Sequence, residues 1–372
     1  MNIIIAGGGT GGHVFPALAV AKGLKKMIPG VRVTFVGTAR GIEAKIIPRE
    51  GYDLRFIRSE GLVGKSLIKT IRSLLKITIS MADSLGILKD IRPELVVGVG
   101  GYSSGPVLLC AKLMGIPTII HEQNSVPGLA NKILGKFVDT VAVTYHESMK
   151  FFPRDRVYLT GNPVREEVLD GDREQGYKTF SLDSDLFTIF VFGGSLGASH
   201  INEAVGEALT YLEPFKDKIQ FLHQTGENDF DFMKELYSSK GFKGTVIAFA
   251  HQMADAYSVA DLVISRAGAT TLAELTACGK AAILVPFPYS AGNHQEINAR
   301  KLWDMGAAQL LLDRELDGKK LFDMIKFMID DPDILFEMER ISRSLGNRGA
   351  TGKVIELIMG LLKRRDNKSI KN

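Results

Sequence analysis

The chain has two cysteines in 372 residues, Cys110 and Cys278. Each lies in an apolar stretch of helical composition. That argues against a disulfide framework and for a reducing compartment. No cysteine or histidine spacing matches a zinc site. No run reaches the about 18 uncharged apolar residues that a membrane-spanning helix needs, so any bilayer contact is expected at the surface. The first residues form a strand with neither a cationic leader nor a cleavage site, and no signal peptide is expected. An excess of one charge is also lacking. There are 46 Lys and Arg against 42 Asp and Glu, a net charge of +4, which does not point to nucleic acid. Neither a Walker loop nor a Gly-x-Ser-x-Gly elbow is present. Apolar residues make up 45%, which excludes a disordered chain and fills two cores of ordinary size.

What is abundant is glycine at strand ends. The apolar run Ile3-Ile4-Ile5-Ala6 leads into Gly7-Gly8-Gly9-Thr10-Gly11-Gly12-His13 and then into a stretch of helical composition. Glycine lets the backbone turn sharply and approach another group closely. A helix that starts there aims unpaired N–H groups and a partial positive charge at the turn, which is how phosphate is held. The pattern recurs at Gly193-Gly194-Ser195-Leu196-Gly197-Ala198, half a chain length later. A third glycine turn, Gly98 to Gly105, follows Leu95-Val96-Val97. Two similar α/β domains facing one another are expected.

Strands are expected at 2–6, 31–36, 53–57, 94–99, 117–121, 138–144 and 156–159, then at 186–192, 219–223, 245–249, 261–264, 281–285 and 307–312. These runs are rich in Val and Ile without strict alternation, which suits parallel sheets buried on both faces. Helices between them make right-handed βαβ units. Thr160-Gly161-Asn162-Pro163-Val164-Arg165 ends the first strand series. The expected domains are therefore 1–162 and 163–345, with a final helix at about 346–372 packing back on the first.

Several constellations can carry chemistry. Gly7-x-Gly9-x-x-Gly12 matches the dinucleotide fingerprint, but its usual acid after the second strand is missing from Gly37-Thr38-Ala39-Arg40. Arg40 could meet a ribose phosphate instead, which keeps an NADP-linked oxidoreductase as an alternative. His13 stands at a helix start, where the dipole disfavours imidazolium and lowers its pKa. It is either a general base or a cap and ligand donor. His121-Glu122-Gln123-Asn124 closes a strand at the end where ligands bind in such sheets. Glu122 is a second candidate base, or a group that orients another. In the second half, Thr270 and Thr271 open a helix able to hold phosphate. Glu274, a turn later, either accepts from ribose hydroxyls or lies on the helix surface. Asn293-His294-Gln295 either reads sugar hydroxyls or caps a helix. The Asp-x-Asp triplets at 170–172, 183–185 and 229–231 read as surface carboxylates. A third reading of the chain is a non-catalytic nucleotide-sugar or lipid-diphosphate binder.

Lys65, Lys69, Arg72 and Lys76 form a cationic helical stripe beside Ile68, Ile71, Leu75 and Ile79. It is either the wet side of a crossover helix or a face that rests on anionic lipid.

Taken in order, the blocks beginning at Gly7, Gly100, His121, Thr160, Gly193 and Asn293 resemble the MurG family of bacterial N-acetylglucosaminyltransferases, over nearly the whole chain. The resemblance implies a GT-B fold, α/β, with two Rossmann-like domains whose parallel sheets face across a cleft. It implies metal-independent, cofactor-free transfer of GlcNAc from UDP-GlcNAc to the muramyl 4-hydroxyl of lipid I. The anomeric centre inverts, giving lipid II for peptidoglycan synthesis, and with it cell shape and division. It implies a peripheral enzyme on the cytoplasmic face of the plasma membrane. Donor contacts implied in the C-terminal domain are Arg165, Ser195, Ala250 (near uracil), Thr270, Thr271, Glu274 and Gln295. The N-terminal domain presents Gly9, Thr10, Gly11, Gly12, His13, Tyr102, Ser103, Glu122 and Asn124 to the acceptor diphosphate and the reacting sugar. Of these, Thr10, Gly11, Gly12 and Asn124 also count as donor contacts. The family often has serine at the places of Ala267 and Ala273 and an acid at Gly292, so no such contact is implied there.

Overall fold

The computed structural model describes residues 1–59, 67–194 and 197–369 (for 67–77 and 366–369, the backbone alone). It divides into two compact units, Met1–Arg165 with Arg348–Asn372, and Glu166–Asn347. In chain order the first unit holds β1 Asn2–Ala6, α1 Gly11–Met27, β2 Arg32–Gly37, α2 Glu43–Arg49, β3 Asp53–Phe56, α3 Leu67–Ile91 and β4 Leu95–Gly98. It continues with α4 Ser104–Leu113, β5 Thr118–Glu122, α5 Leu129–Leu134, β6 Thr140–Val143 and β7 Val157–Leu159. The second holds α6 Glu166–Leu169, α7 Arg173–Thr179, β8 Phe187–Phe192, α8 Ser199–Leu212, β9 Ile219–Gln224, α9 Phe230–Lys240, β10 Gly244–Ile247 and α10 Met253–Val259. After these come β11 Leu262–Ser265, α11 Ala269–Cys278, β12 Ala282–Leu284, α12 His294–Asp304, β13 Gln309–Leu310, α13 Gly318–Asp330 and α14 Pro332–Leu345. The last helix, α15 Ala350–Ser369, belongs to the first unit.

Every expected strand run holds a strand, and each pair is parallel. Strand β1 shows why the run is apolar throughout. Ile3 and Ile5 enter one core cluster while Ile4 and Ala6 enter the other, all at 0% exposure. A strand buried on both faces has no polar side to alternate. Val354, Ile355 and Ile358 of α15 join the Ile3 cluster beside α1. Gly23 allows that approach, since a Cβ there would stand 2.5 Å from Ile355 Cδ1. The second unit buries Ile189, Val191, Phe221 and Ile264 under α8, α13 and α14. Neither Cys110, in the first unit, nor Cys278, in the second, is in a disulfide.

The first sheet runs β3-β2-β1-β4-β5-β6-β7 and the second β10-β9-β8-β11-β12-β13. Strand order therefore reverses between β1 and β4, and again between β8 and β11. Crevices for ligands open at the carboxyl ends of such pairs. The glycine turns stand at those ends: 7–9 after β1, 100–101 after β4, 193–194 after β8 and Gly268 after β11.

Candidate active site

In the first unit the two glycine turns close on each other. A Cβ on Gly7 would stand 2.6 Å from the Gly100 carbonyl oxygen, and one on Gly101 would stand 2.5 Å from that of Gly8. Gly7, Gly8, Gly9, Gly100 and Gly101 all have positive φ, a region that side chains disfavour. Backbone thus fills the crevice floor. Helix α1 starts above it with Thr10 as N-cap, and the Thr10 carbonyl accepts from the His13 and Val14 amides. The Thr10 side chain makes no cap bond, and the first turn carries no acid.

The acid missing after β2 sits further along, at Glu43 in α2. It is 1% exposed. Its Oε2 accepts from the Gly9 amide at 2.7 Å, and its Oε1 accepts from the Thr38 amide at 2.9 Å and the Thr38 hydroxyl at 3.0 Å. This carboxylate is an internal brace, and the Gly9 amide serves it. Neither feature matches a dinucleotide site, where the acid meets ribose.

His13 packs against the second turn, with its Cε1 2.8 Å from where a Gly100 Cβ would be. Its Nδ1 lies 3.2 Å from Gln123 Oε1. Gln123 Nε2 donates to the Val99 carbonyl at 2.9 Å and faces His121 Nδ1 at 3.2 Å. His121 Nε2 lies 3.0 Å from the Gly161 carbonyl. Burial holds the His121 pKa down at about 4, against the Gly161 bond that raises it.

Glu122 is 1% exposed. Its Oε1 accepts from the amide and side chain of Asn124, and its Oε2 from the Gly128 amide and Asn131 Nδ2. Burial pushes its carboxyl above the ordinary value while those bonds pull it back. With both oxygens so engaged, Glu122 shapes the loop after β5. Of its two expected roles, orienting is the one this geometry fits. Tyr102 is 60% exposed and Ser103 is buried.

In the second unit, Gln224 at the end of β9 ties two loops together. Its Nε2 donates to the Gly194 carbonyl at 2.8 Å, and its Oε1 accepts from the Ala250 amide at 3.0 Å. The Ala250 amide is thus engaged internally. Helix α11 starts at Gly268 with no side-chain cap bond and no acid in its first turn. Thr270 is buried and Thr271 half-buried. Glu274 is 5% exposed and accepts from the Tyr257 hydroxyl at 3.0 Å. That overturns the surface reading of Glu274. Tyr257 is held edge-on to Phe190 and Phe192. Arg266 ties the end of β11 to the next loop through the carbonyls of Val285 and Pro286 and the carboxylate of Asp313. Gln295 Oε1 accepts from the Phe287 amide at 2.9 Å. Asn293 has positive φ and donates to Glu296 instead of capping α12 with its side chain.

Residues 3–143 match the glycosyltransferase family 28 N-terminal domain and residues 188–352 its C-terminal domain. A protein of Thermodesulfovibrio yellowstonii is 51% identical over 98% of this chain and its own full length. One of Myxococcus xanthus is 44% identical over 97% of this chain and 93% of its own. Both are named UDP-N-acetylglucosamine–N-acetylmuramyl-(pentapeptide) pyrophosphoryl-undecaprenol N-acetylglucosamine transferase. The crystal structure of Acinetobacter baumannii MurG superposes with a TM-score of 0.75 at 31% identity, covering 96% of this chain and 99% of that one. The chain belongs to the MurG family. A UDP-GlcNAc 2-epimerase from Neisseria meningitidis, with a TM-score of 0.68 at 14% identity over 97% of this chain and all of that one, shares the fold alone.

Set against that family, the structure places the expected residues unevenly. Thr10, Gly11, Gly12, His13, Tyr102, Ser103 and Asn124 stand with Gly9 at the ends of β1, β4 and β5. Thr270, Thr271 and Glu274 gather on α11, with Ala250 on the loop after β10 and Gln295 in the first turn of α12. Arg165 departs from its expected place in the C-terminal domain. It counts with the first unit, its guanidinium 4.4 Å from the Phe15 ring centre. The reason is that Val164 is still buried there, and its carbonyl accepts from Thr351 of α15. Ser195 and Lys65 lie outside the described residues, as do the side chains of Ile68, Lys69, Ile71, Arg72, Leu75 and Lys76. Among the triplet acids, Asp172 caps α7, Asp183 pairs with Lys243 and Asp229 accepts from Asn202. Sequence reasoning missed Glu43, Gln224 and Tyr257. Each acts through a partner distant in the chain, and Glu43 alone carried a signal, an acid shortly after β2.

Proposed function

We propose that the protein transfers N-acetylglucosamine from UDP-GlcNAc to the muramyl 4-hydroxyl of lipid I, inverts the anomeric carbon and so forms lipid II. The family membership supports the substrates. The observation that carries the chemistry is His13, held at the start of α1 on a floor of glycine backbone. In this reading His13 takes the proton of the attacking hydroxyl as its oxygen bonds to the anomeric carbon, and the electron pair of the breaking bond leaves with UDP. The amides that open α1 favour the acceptor diphosphate, and those that open α11 favour the donor diphosphate. Glu274, braced by Tyr257, accepts from the donor's sugar hydroxyls. The reaction needs no metal in this scheme.

Radiolabelled UDP-GlcNAc with a lipid I analogue tests the proposal. Labelled product with a β-1,4 link, formed equally in the presence of a chelator, is expected. His13→Ala should lower kcat by roughly 10²-fold or more while leaving the thermal midpoint within a few degrees. Full turnover by that variant would remove His13 as base. UDP-GlcNAc at a hundred times its Kd should add about 2.7 kcal/mol of stability, and stabilisation by NADPH instead would favour an oxidoreductase.

We also propose peripheral docking on anionic lipid at the cytoplasmic face of the plasma membrane. Among the described residues, no helix is long and apolar enough to cross a membrane. Helix α3, which carries the cationic stripe in sequence, packs on α4, and α4 packs on α5. On α4, α5 and the turn after them, Leu113, Leu129, Ile133 and Phe137 are at least half exposed, interleaved with Lys112, Lys132 and Lys136. Apolar anchors among cations suit such a surface. Lys69→Glu with Lys76→Glu should weaken binding to phosphatidylglycerol vesicles, and indifference to those charges would count the stripe as ordinary surface.

A further inference from the structure

Two main-chain carbonyls dictate the protonation of a whole row of side chains in the first unit. The carbonyls of Gly161 and Val99 can only accept. His121 Nε2, 3.0 Å from the first, must therefore carry its proton. His121 is 1% exposed and stays neutral at pH 7, because burial holds its pKa near 4. A neutral ring with its proton on Nε2 has a lone pair on Nδ1. Gln123 Nε2 faces that lone pair at 3.2 Å and the Val99 carbonyl at 2.9 Å, so both amide protons have acceptors. The carboxamide is thereby fixed with its oxygen toward His13 Nδ1 at 3.2 Å. An oxygen there requires a donor.

We propose that Gln123 and His121 are positioning residues that lock His13 with its proton on Nδ1 and its lone pair on Nε2. The inference deepens the reading of His13 as base and rests on it for its catalytic consequence. The lock decides which nitrogen can take the proton of the attacking hydroxyl. It also offers the imidazolium that follows a ready acceptor, the Gln123 oxygen. A neutral amide in this place differs from a carboxylate. It sets the tautomer without adding a full charge that would hold the ring protonated at neutral pH. Around His13 stand Gln123 and His121 at the β5 end and Gly100 after β4.

The test reads the tautomer directly. In protein labelled with ¹⁵N-histidine, His13 is assigned by comparison with His13→Gln. Its neutral form should show a protonated Nδ1 and a bare Nε2, the reverse of free histidine's usual preference. Gln123→Met should abolish that preference and lower kcat about 10- to 100-fold, with KM for UDP-GlcNAc within about twofold. His121→Asn, whose side-chain oxygen can still accept from Gln123, should keep more of kcat than His121→Phe. A proton on Nε2 in the unaltered protein overturns the proposal. So does a Gln123→Met variant that keeps full kcat while His13→Ala loses it. If His13→Ala keeps full turnover, the base assignment falls by itself, and the spectrum of the unaltered protein still decides the lock.

Discussion

Buried carboxylates do the bracing in this protein, and each can be tested one atom at a time. Glu43 accepts three hydrogen bonds from Gly9 and Thr38 while almost wholly out of water. Glu43→Gln swaps one acceptor oxygen for an amide donor that would face another donor. The expected cost is on the order of 1–3 kcal/mol, read by urea unfolding, with a matching loss of turnover because the glycine floor loosens. Unchanged stability and turnover would show that the loop holds its shape without the charge. Glu274 is braced in the same way by the Tyr257 hydroxyl at 3.0 Å. Tyr257→Phe should weaken UDP-GlcNAc about 10-fold, the worth of one hydrogen bond to a charged group. Glu274→Ala should weaken it further. Calorimetric titration checks both, and equal affinity in Glu274→Ala would dismiss its contact with the sugar.

At the scale of elements, the glycine turns do more than permit a bend. Gly115 ends α4 with φ 71° and nothing near its missing Cβ, whereas Gly101 has φ 83° and the Gly8 carbonyl in the way. Gly115→Ala should cost only the left-handed strain, about 1–2 kcal/mol. Gly101→Ala adds a backbone collision that nothing can relieve locally, so roughly 2–5 kcal/mol is expected. Equal thermal midpoints for the two variants would refute the close packing of the turns. The strands, by contrast, were readable in outline. Runs such as 2–6 and 219–223 carry their assignment in composition alone, because burial on both faces admits only apolar or partnered residues. Their ends were less legible. Glu122 looks like a loop residue by polarity, yet it ends β5, since its carboxylate is satisfied by the loop and helix that follow.

The whole molecule responds to acid through one neutral buried histidine in each unit. His121 titrates at about 4 in the first unit and His223 at about 3 in the second, both lowered chiefly by burial. Both values lie below the ordinary 6.5, so the unfolded chain takes up protons first. Stability is therefore complete above pH 6.5. It falls as pH drops toward the folded values, by about 1.4 kcal/mol per pH unit for each histidine. Glu122, held above its ordinary value by burial, runs the opposite way and offsets a part in the first unit. Thermal midpoints recorded from pH 7 to 5 should decline steadily, and a flat profile would mean that neither ring is kept neutral. The first unit is also completed from both ends of the chain. Helix α15 returns to cover α1 through Ile355 and Ile358, as expected of the final helix.

Composition and periodicity alone fixed the class of this protein, because parallel strands buried on both faces and glycine at their ends leave a local record. The ordered blocks of motif pointed to its family. Only the tertiary structure decided what the polar residues do. It engaged both Glu122 oxygens with the loop after β5, placed Arg165 with the first unit and joined His13 to Gly161 through two intervening side chains. Hydrogen bonds between residues a hundred positions apart have no sequence period. They exist only once the sheet has brought their strands side by side.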